Sequence, residues 1–494
     1  MRRLLFSGLL VSLGLFLGRL SGFAREAILA SNYGASELSD LIILFFSAPD
    51  VLVNLLIGGA LGMALIPEFK ASGEVQARKL YQQSLTLIVF IFCCFAVIAS
   101  LFAGSLLGLF APGLVVTLPE EVIFLFGLTL LAVPLTAASG VTTSYLHFKE
   151  RFFVPSLGTL IYNAILIVSL LVSTQVHSSV VLWVIAWGII LAALVRWGSQ
   201  LLNSQIYPFS LGGLKENLIS NALVKRYAYA VLTGGIIFMI PVIVRALAST
   251  EGAGMLSLVN YAVKLVEFPL AIALTVFSII FFPKLAESYA NNSEVEFKST
   301  LSRVLLAVMM LSAAVFVPLI TFSELVVGLV YDWGALESSE LTGINSYFLI
   351  LIFALPFQGV NALFVSALAA RKDTLSPLLI SSASVIAFLI YSYNYAGGLE
   401  EILYASVITY SCISLVLFLS LVIKHKLGLS VVSNILRDLL ILLLLAVAYY
   451  WFFSSEYNTI SSYLEFFILV PIAILIFVFV CVVFSRELKM VIKA

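Results

Sequence analysis

Apolar stretches long enough to cross a bilayer recur along the whole chain. A hydrocarbon core of about 30 Å takes about 20 apolar residues per helix. Segments of that order fall near residues 4–31, 37–66, 81–108, 121–146, 153–173, 179–200, 222–247, 254–282, 301–322, 343–369, 376–395, 401–423, 436–453 and 462–484. Inside hydrocarbon every backbone polar group must be satisfied by the segment itself or by a closed barrel, and segments of this length are helical. The sequence therefore predicts an all-α integral membrane protein with about fourteen transmembrane helices. Composition agrees, since 62% of the 494 residues are hydrophobic and 11% are charged, against about half and a quarter in soluble domains.

The connecting loops sort the basic residues. Arg2 and Arg3, Lys70 to Lys79, Lys149 and Arg151, Arg196 to Arg226, Lys284 to Arg303, Arg371 and Lys372, Lys424 to Arg437, and Arg486 to Lys493 all fall on one side of the expected topology. The opposite loops, such as "APGLVVTLPEE" and "YDWGALESSELTG", are neutral or acidic. The positive-inside rule then puts both termini in the cytoplasm. A miscount of one helix would scramble the alternation, so the number of spans is expected to be even. The opening "MRRLLFSGLLVSLGLFLG" has the basic start and apolar stretch of a signal peptide. Its apolar register continues through "AILA", and the even count needs it, so the first helix is expected to stay.

Several function classes are excluded at this point. A formal net charge of zero argues against a nucleic-acid partner, which wants a basic face. Cys93, Cys94, Cys412 and Cys481 sit inside apolar runs without disulfide or zinc spacing and are expected to be packing residues. The three histidines, His147, His177 and His425, lie at loops or helix ends, and no P-loop, G-x-S-x-G elbow or H-E-x-x-H pair occurs. No cofactor or metal is expected, and an enzyme is the least favoured reading.

Four basic residues escape the loops: Arg19, Arg25, Arg245 and Lys264. A charge at the bilayer centre costs about 2.5–3.5 kcal/mol on insertion scales unless it is paired or faces a wet cavity, which makes each a functional candidate. Arg25 and Arg245 lie close enough to outer helix ends for snorkelling to the headgroups to compete with a functional reading. Arg19 and Lys264 are deeper, where the competing reading is a structural ion pair. Lys264 has a partner in Glu267, three residues on along the same helical face.

The chain also repeats itself. "GASELS" at Gly34–Ser39 resembles "GAGMLS" at Gly252–Ser257, and each is preceded by an intramembrane arginine, Arg25 or Arg245. Each is followed by a mid-helix proline, Pro49 or Pro269, and a later one, Pro67 or Pro283. Two parallel six-helix lobes are expected, at 1–200 and 220–425, with two additional transmembrane helices at 436–484. In transporters of this plan the substrate site lies near the midplane between the halves, and the four cations are expected to converge there. Little intramembrane acid cancels them, so the ligand should be an anion. Arg19 and Arg25 are six residues apart, about 9 Å along a helix, with Gly22 between them to permit a bend. That spacing suits a diphosphate, which guanidinium forks grip bidentately.

"GRLSGFAREAILASNYGASELSD", followed by "APDVLVNLLIGGALGMALIPEF", closely resembles the N-terminal signature of the MurJ (MviN) lipid II flippase family, and "NYAVKLVEFP" at Asn260–Pro269 is similar to its eighth-helix motif. The resemblance implies a fold of the multidrug/oligosaccharidyl-lipid/polysaccharide exporter superfamily, shared with MATE transporters. It also implies a partner, an undecaprenyl-diphosphate-linked oligosaccharide, flipped from the cytoplasmic to the periplasmic leaflet of the bacterial inner membrane by alternating access. Arg19 and Arg25 match the family's essential first-helix arginines, and Asp40 matches the acid that opens its second helix. Lys264 stands where the family usually has arginine, beside Glu267, which matches the family's acidic neighbour.

Two departures stand out. The family's "PNLLRR" reads "PDVLVN" here, so that Val53 replaces a cavity arginine and Asp50 introduces an acid, and the glutamate of "AEGAF" becomes Gly58. Either the carried head group is less negative than that of lipid II, or Asp50 binds a coupling cation or pairs with a cavity arginine. A third reading has Asp50 merely capping a helix break at Pro49. The alternatives to lipid II transport are flipping of an O-antigen or exopolysaccharide unit, cation-coupled drug export, which would want an acidic cavity, and a non-transporting scaffold.

Overall fold

The computed structural model describes residues 2–56, 60–114, 118–206, 219–220, 223–224, 227, 235–290, 293–371, 373–427, 429–456 and 463–484. Gly58, Lys372, the loop residues Lys215, Lys225 and Arg226, the terminal Arg486, Lys489 and Lys493, and the side chain of Val53 lie outside that set. All the longer described elements are α-helices. Eight of them are long and apolar enough to cross a membrane, or nine if a helix pair bent by 42° counts as one span. The chain divides into two compact units, Met1–Asn260 and Tyr261–Ala494.

In the first unit, α1 (Arg2–Tyr33), α2 (Glu37–Leu56), α3 (Ala60–Leu101), α4 (Ala103–Phe110), α5 (Glu120–Thr129), α6 (Ala132–Phe148), α7 (Phe153–Ser173), α8 (Val181–Ser204) and α9 (Met239–Ala248) follow in order. α3 is broken at Gly73, whose φ of 70° is open to glycine at little strain. Its C-terminal part packs on α6 through Tyr81 and Tyr145, stacked at 4.6 Å. α1 lies against α7 along three glycines one turn apart. A Cβ at Gly14 would meet Ser156 Oγ at 2.4 Å, one at Gly18 would meet Thr159 Cβ at 3.0 Å, and one at Gly22 would meet Asn163 Nδ2 at 3.2 Å. This is the small-residue seam that lets helices approach where no hydrophobic force separates protein from lipid. Gly22 therefore serves close packing, and α1 runs unbroken through it.

The second unit holds most of α10 (Met255–Ala290), then α11 (Glu294–Thr321), α12 (Ser323–Tyr331), α13 (Ser338–Leu351), α14 (Ala354–Ala370), α15 (Leu375–Asn394), α16 (Leu399–Ile423), α17 (Leu429–Glu456) and α18 (Tyr463–Phe484). α14 packs on α16 and α11 on α17. The last two helices join this unit through Tyr449 and Phe477, stacked at 4.5 Å.

The internal repeat survives as local geometry. Phe102 and Phe322 end long helices with φ, ψ of −104°, 24° and −110°, 32°, and each starts a short one. On the basic-loop side, the residue after α6, Lys149, pairs with Glu74, and the residue after α14, Arg371, pairs with Glu294 at 2.6 Å. Two residues on, Arg151 donates to Asn203 O at 2.6 Å, whereas Asp373 accepts from Lys424 at 2.7 Å and His425 at 2.9 Å. Each unit thus ties four helix ends with one clasp, using different charges.

Burial pushes the Asp373 carboxyl up, but hydrogen bonds from Lys424, His425 and Ser376 outweigh it and hold it well below the usual carboxylate range. A depressed folded-state pKa stabilises above the unfolded value, near 3.9, and the gain is lost only as pH falls through the folded one. Asp373→Asn should therefore lower stability by about 1–3 kcal/mol at neutral pH. Thermal midpoints measured from pH 8 to pH 3 should show a constant deficit that narrows only below about pH 4. A deficit that closes already between pH 7 and 5 would count against the clasp.

Candidate functional site

Two of the four intramembrane cations sit in one polar chain inside the first unit. Asn163 of α7 faces the seam, donating from Nδ2 to Gly18 O at 3.3 Å and accepting from Arg25 Nη1 at 3.2 Å through Oδ1. Arg25 Nη2 donates to Glu26 Oε1 at 2.6 Å, and its guanidinium lies 4.7 Å from the Phe46 ring centroid. Glu26 Oε2 accepts from Asn260 Nδ2 at 2.9 Å, and Asn260 Oδ1 accepts from Arg245 Nη1 at 3.0 Å. The repeat-related arginines are therefore linked through one carboxylate and one amide. Arg25, Glu26 and Asn260 are 8%, 3% and 1% exposed, which makes snorkelling of Arg25 to headgroups untenable. Arg25 spends two of its five N–H donors on these bonds, and its buried Nε has no partner among the described residues.

The two copies of the Gly-Ala turn touch. Ser39 Oγ accepts from Ser36 N at 2.9 Å and donates to Ser257 Oγ at 2.9 Å, so repeat-equivalent serines meet. Next to them the symmetry breaks, because Asp40 has Leu258 as its counterpart. The Asp40 carboxylate accepts from Gly254 N, Ser257 N and Ser257 Oγ, each at 2.7 Å, and so caps the start of α10. Gly254 has φ of 84°, and a Cβ there would lie 2.4 Å from Ala35 O, so only glycine fits this turn.

Asp50 does not cap a break, since α2 continues through Pro49 to Leu56. It acts electrostatically on Arg25, Tyr162 and Arg196. Arg196 was expected among the loop cations, yet it lies within α8, packed beside the bare Cα of Gly158. Arg19 is exposed on α1 and has no partner among the described residues. In the second unit Lys264 pairs with Glu267 at 2.7 Å, as their i,i+3 spacing implied. Among the described residues no cluster of His, Cys, Asp and Glu is built to hold a metal.

Glu26, Asn163 and Asn260 were not singled out in the sequence, and Arg196 was assigned to a loop. Glu26 carried a signal, being an acid immediately beside an intramembrane arginine. Arg196 carried another, since it follows fifteen residues of apolar α8. The two asparagines had none, because their partners are supplied by packing.

Helices long and apolar enough to cross a membrane, with a buried Arg25–Glu26 pair linked through Asn260 to Arg245, mark a polytopic membrane protein that holds charge inside its helix bundle. The family model for the lipid II flippase MurJ matches residues 29–479, and the chain belongs to that family. Relatives include a probable lipid II flippase MurJ of Buchnera aphidicola subsp. Acyrthosiphon pisum, 25% identical over 411 residues, covering 78% of each protein. The lipid II flippase MurJ of Burkholderia cenocepacia is 24% identical over 412 residues, 79% of this chain and 78% of that protein. A solved lipid II flippase MurJ in an inward closed conformation superposes with a TM-score of 0.78 at 18% identity, covering 97% of this chain and 100% of that one. An inward-facing MATE multidrug transporter of the MOP superfamily follows at 0.68 and 14%, covering 86% and 98%. The expected MATE-like all-helical fold is the one found.

Proposed function

We propose that this protein flips lipid II, an undecaprenyl-diphosphate-linked peptidoglycan precursor, from the cytoplasmic to the periplasmic leaflet of the bacterial inner membrane, with both termini cytoplasmic. The family match over residues 29–479 carries the reading and favours lipid II over the O-antigen and exopolysaccharide alternatives. Arg25 and Arg245 are the first candidates for diphosphate ligands, with Arg19 and Lys264 as further cationic contacts. Among the described residues Arg25 keeps three N–H donors uncommitted, and phosphate oxygens compete for it with Glu26. Asp40, Asp50 and Glu267 are assigned to gating or to coupling with a cation or the membrane potential. The repeat halves near 1–200 and 220–425 would move against each other, with 436–484 as an accessory pair. Flipping makes and breaks no covalent bond, so no catalytic residue is assigned.

The test is growth of a bacterium depleted of its own lipid II flippase. The intact protein should restore growth, and Arg25→Ala, inserted to the same level, should lower rescue at least about a hundredfold, the loss of a bidentate charged contact of about 3 kcal/mol. A well-inserted native chain that gives no rescue points to another lipid-linked glycan.

A further inference from the structure

A cavity of about 720 Å³ opens in the second unit between the end of α11, the short helix α12 and the start of α13. It borders the loop "YDWGALESSELTG", on the side opposite the basic loops. That volume is within the range of small-molecule sites. Phe322 and Leu325 give it apolar walls, while Glu324, Asp332, Thr342 and Asn345 supply polar groups, and no lysine, arginine or histidine lines it among the described residues.

Both charged groups are acids, and further acceptors lie beside them. Asn345 Oδ1 is buried and has no hydrogen-bond partner among the described residues. Thr342 donates its hydroxyl to Ser338 O at 2.9 Å and keeps its lone pairs. The acids Glu337 and Glu340 are committed to the capping box that starts α13, whereas no hydrogen bond or ion pair reaches the carboxylates of Glu324 and Asp332 among the described residues.

The repeat supplies an internal control. Two residues past the matching breaks at Phe322 and Phe102 stand Glu324 and Gly104. Seven residues before the matching bends at Ile352 (φ −60°, ψ −28°) and Leu130 (φ −65°, ψ −18°) stand Asn345 and Ile123. In the first unit these positions close on each other, a Cβ at Gly104 lying 3.7 Å from Ile123 Cγ2. The fold is thus satisfied by a glycine and an isoleucine. In the second unit the same two positions carry a carboxylate and an amide around open space, which packing does not require.

We propose that this cavity binds an ammonium-bearing polar molecule, with Glu324 and Asp332 pairing its charge at the mouth and Asn345 Oδ1 and Thr342 accepting its N–H groups. Glu324, in the first turn of α12, and Asp332, just past its end, are eight residues apart, about 12 Å along the axis, so a ligand with more than one amine bridges them best. The ammonium can come from a soluble polyamine or from a lipid headgroup.

Spermidine titrated into the full-length protein in phosphatidylcholine nanodiscs, followed by calorimetry and by fluorescence of Trp333 beside Asp332, tests this. Saturable binding is expected, weakened at least about tenfold by the isosteric double variant Glu324→Gln/Asp332→Asn and also by Asn345→Ile, which copies the first unit. Glu400→Gln, an exposed acid on α16, should bind as the native protein does. Absence of saturable binding, equal affinity in the cavity variants, an equal loss in Glu400→Gln, or equal binding of the neutral polyol sorbitol would each overturn the proposal. In phosphatidylethanolamine nanodiscs, weaker spermidine binding by the native protein identifies the lipid ammonium as occupant, and unchanged binding identifies a soluble amine.

Discussion

Asp40→Asn should lower the thermal midpoint and cut transport at least about tenfold, although it exchanges one oxygen for one NH₂. The Asp40 carboxylate is fully buried and accepts three hydrogen bonds at 2.7 Å, two of them from backbone N–H groups at the start of α10. Asparagine offers one acceptor oxygen and turns its amide hydrogens towards the remaining donors. Hydrogen bonds to charged groups are worth about 1.5–3 kcal/mol each, and a buried donor facing a donor adds its desolvation cost. The expected loss is about 3 kcal/mol, with Asp40→Ala similar. Transport should suffer with stability because α10 starts at this turn and carries Lys264. Midpoints of purified protein in nanodiscs, measured beside leaflet-exposure of lipid II, give both readouts. If Asp40→Asn melts with the native midpoint and transports normally, Asp40 is not the cap that its geometry implies.

How much of this was legible in the sequence depends on whether a feature is local. The helices, the basic loop alternation and the repeat are written in composition and spacing, and Lys264 with Glu267 follows from i,i+3 neighbourhood alone. The repeat even located Arg25 and Arg245 as a pair, although nothing in it said that a single carboxylate joins them. That join needs Asn260 and Glu26, 234 residues apart, brought to 2.9 Å by packing. Gly22 was read as permitting a bend because a glycine in a helix allows one, and what that reading missed is that Gly14 and Gly18, at one-turn intervals before it, make it part of a seam whose partner is α7. Asp50 was open to three readings, and the unbroken α2 removes the capping one. Its electrostatic neighbours Arg25 and Arg196 favour pairing with arginine, and Arg196 was hidden by its closeness to a basic loop.

Glu26→Gln should separate binding from transport. Glu26 is 3% exposed and is the direct charge partner of Arg25. Breaking a buried pair by neutralising one member costs about 3–5 kcal/mol, because the other charge stays buried and uncompensated. Asp50 remains in the field of Arg25, so part of that cost is offset, and Glu26→Gln/Asp50→Asn should exceed the sum of the single effects, as expected for groups in one network. A diphosphate offers Arg25 what Glu26 no longer does. Affinity for undecaprenyl diphosphate should therefore rise about tenfold or more in Glu26→Gln, while transport falls by at least as much, because nothing competes to release the substrate. Binding and single-turnover flipping, measured on the same nanodisc preparation, decide the matter. A parallel fall in both would make Glu26 a structural counter-ion for Arg25, and the exchange of carboxylate for phosphate would no longer describe how this protein lets its substrate go.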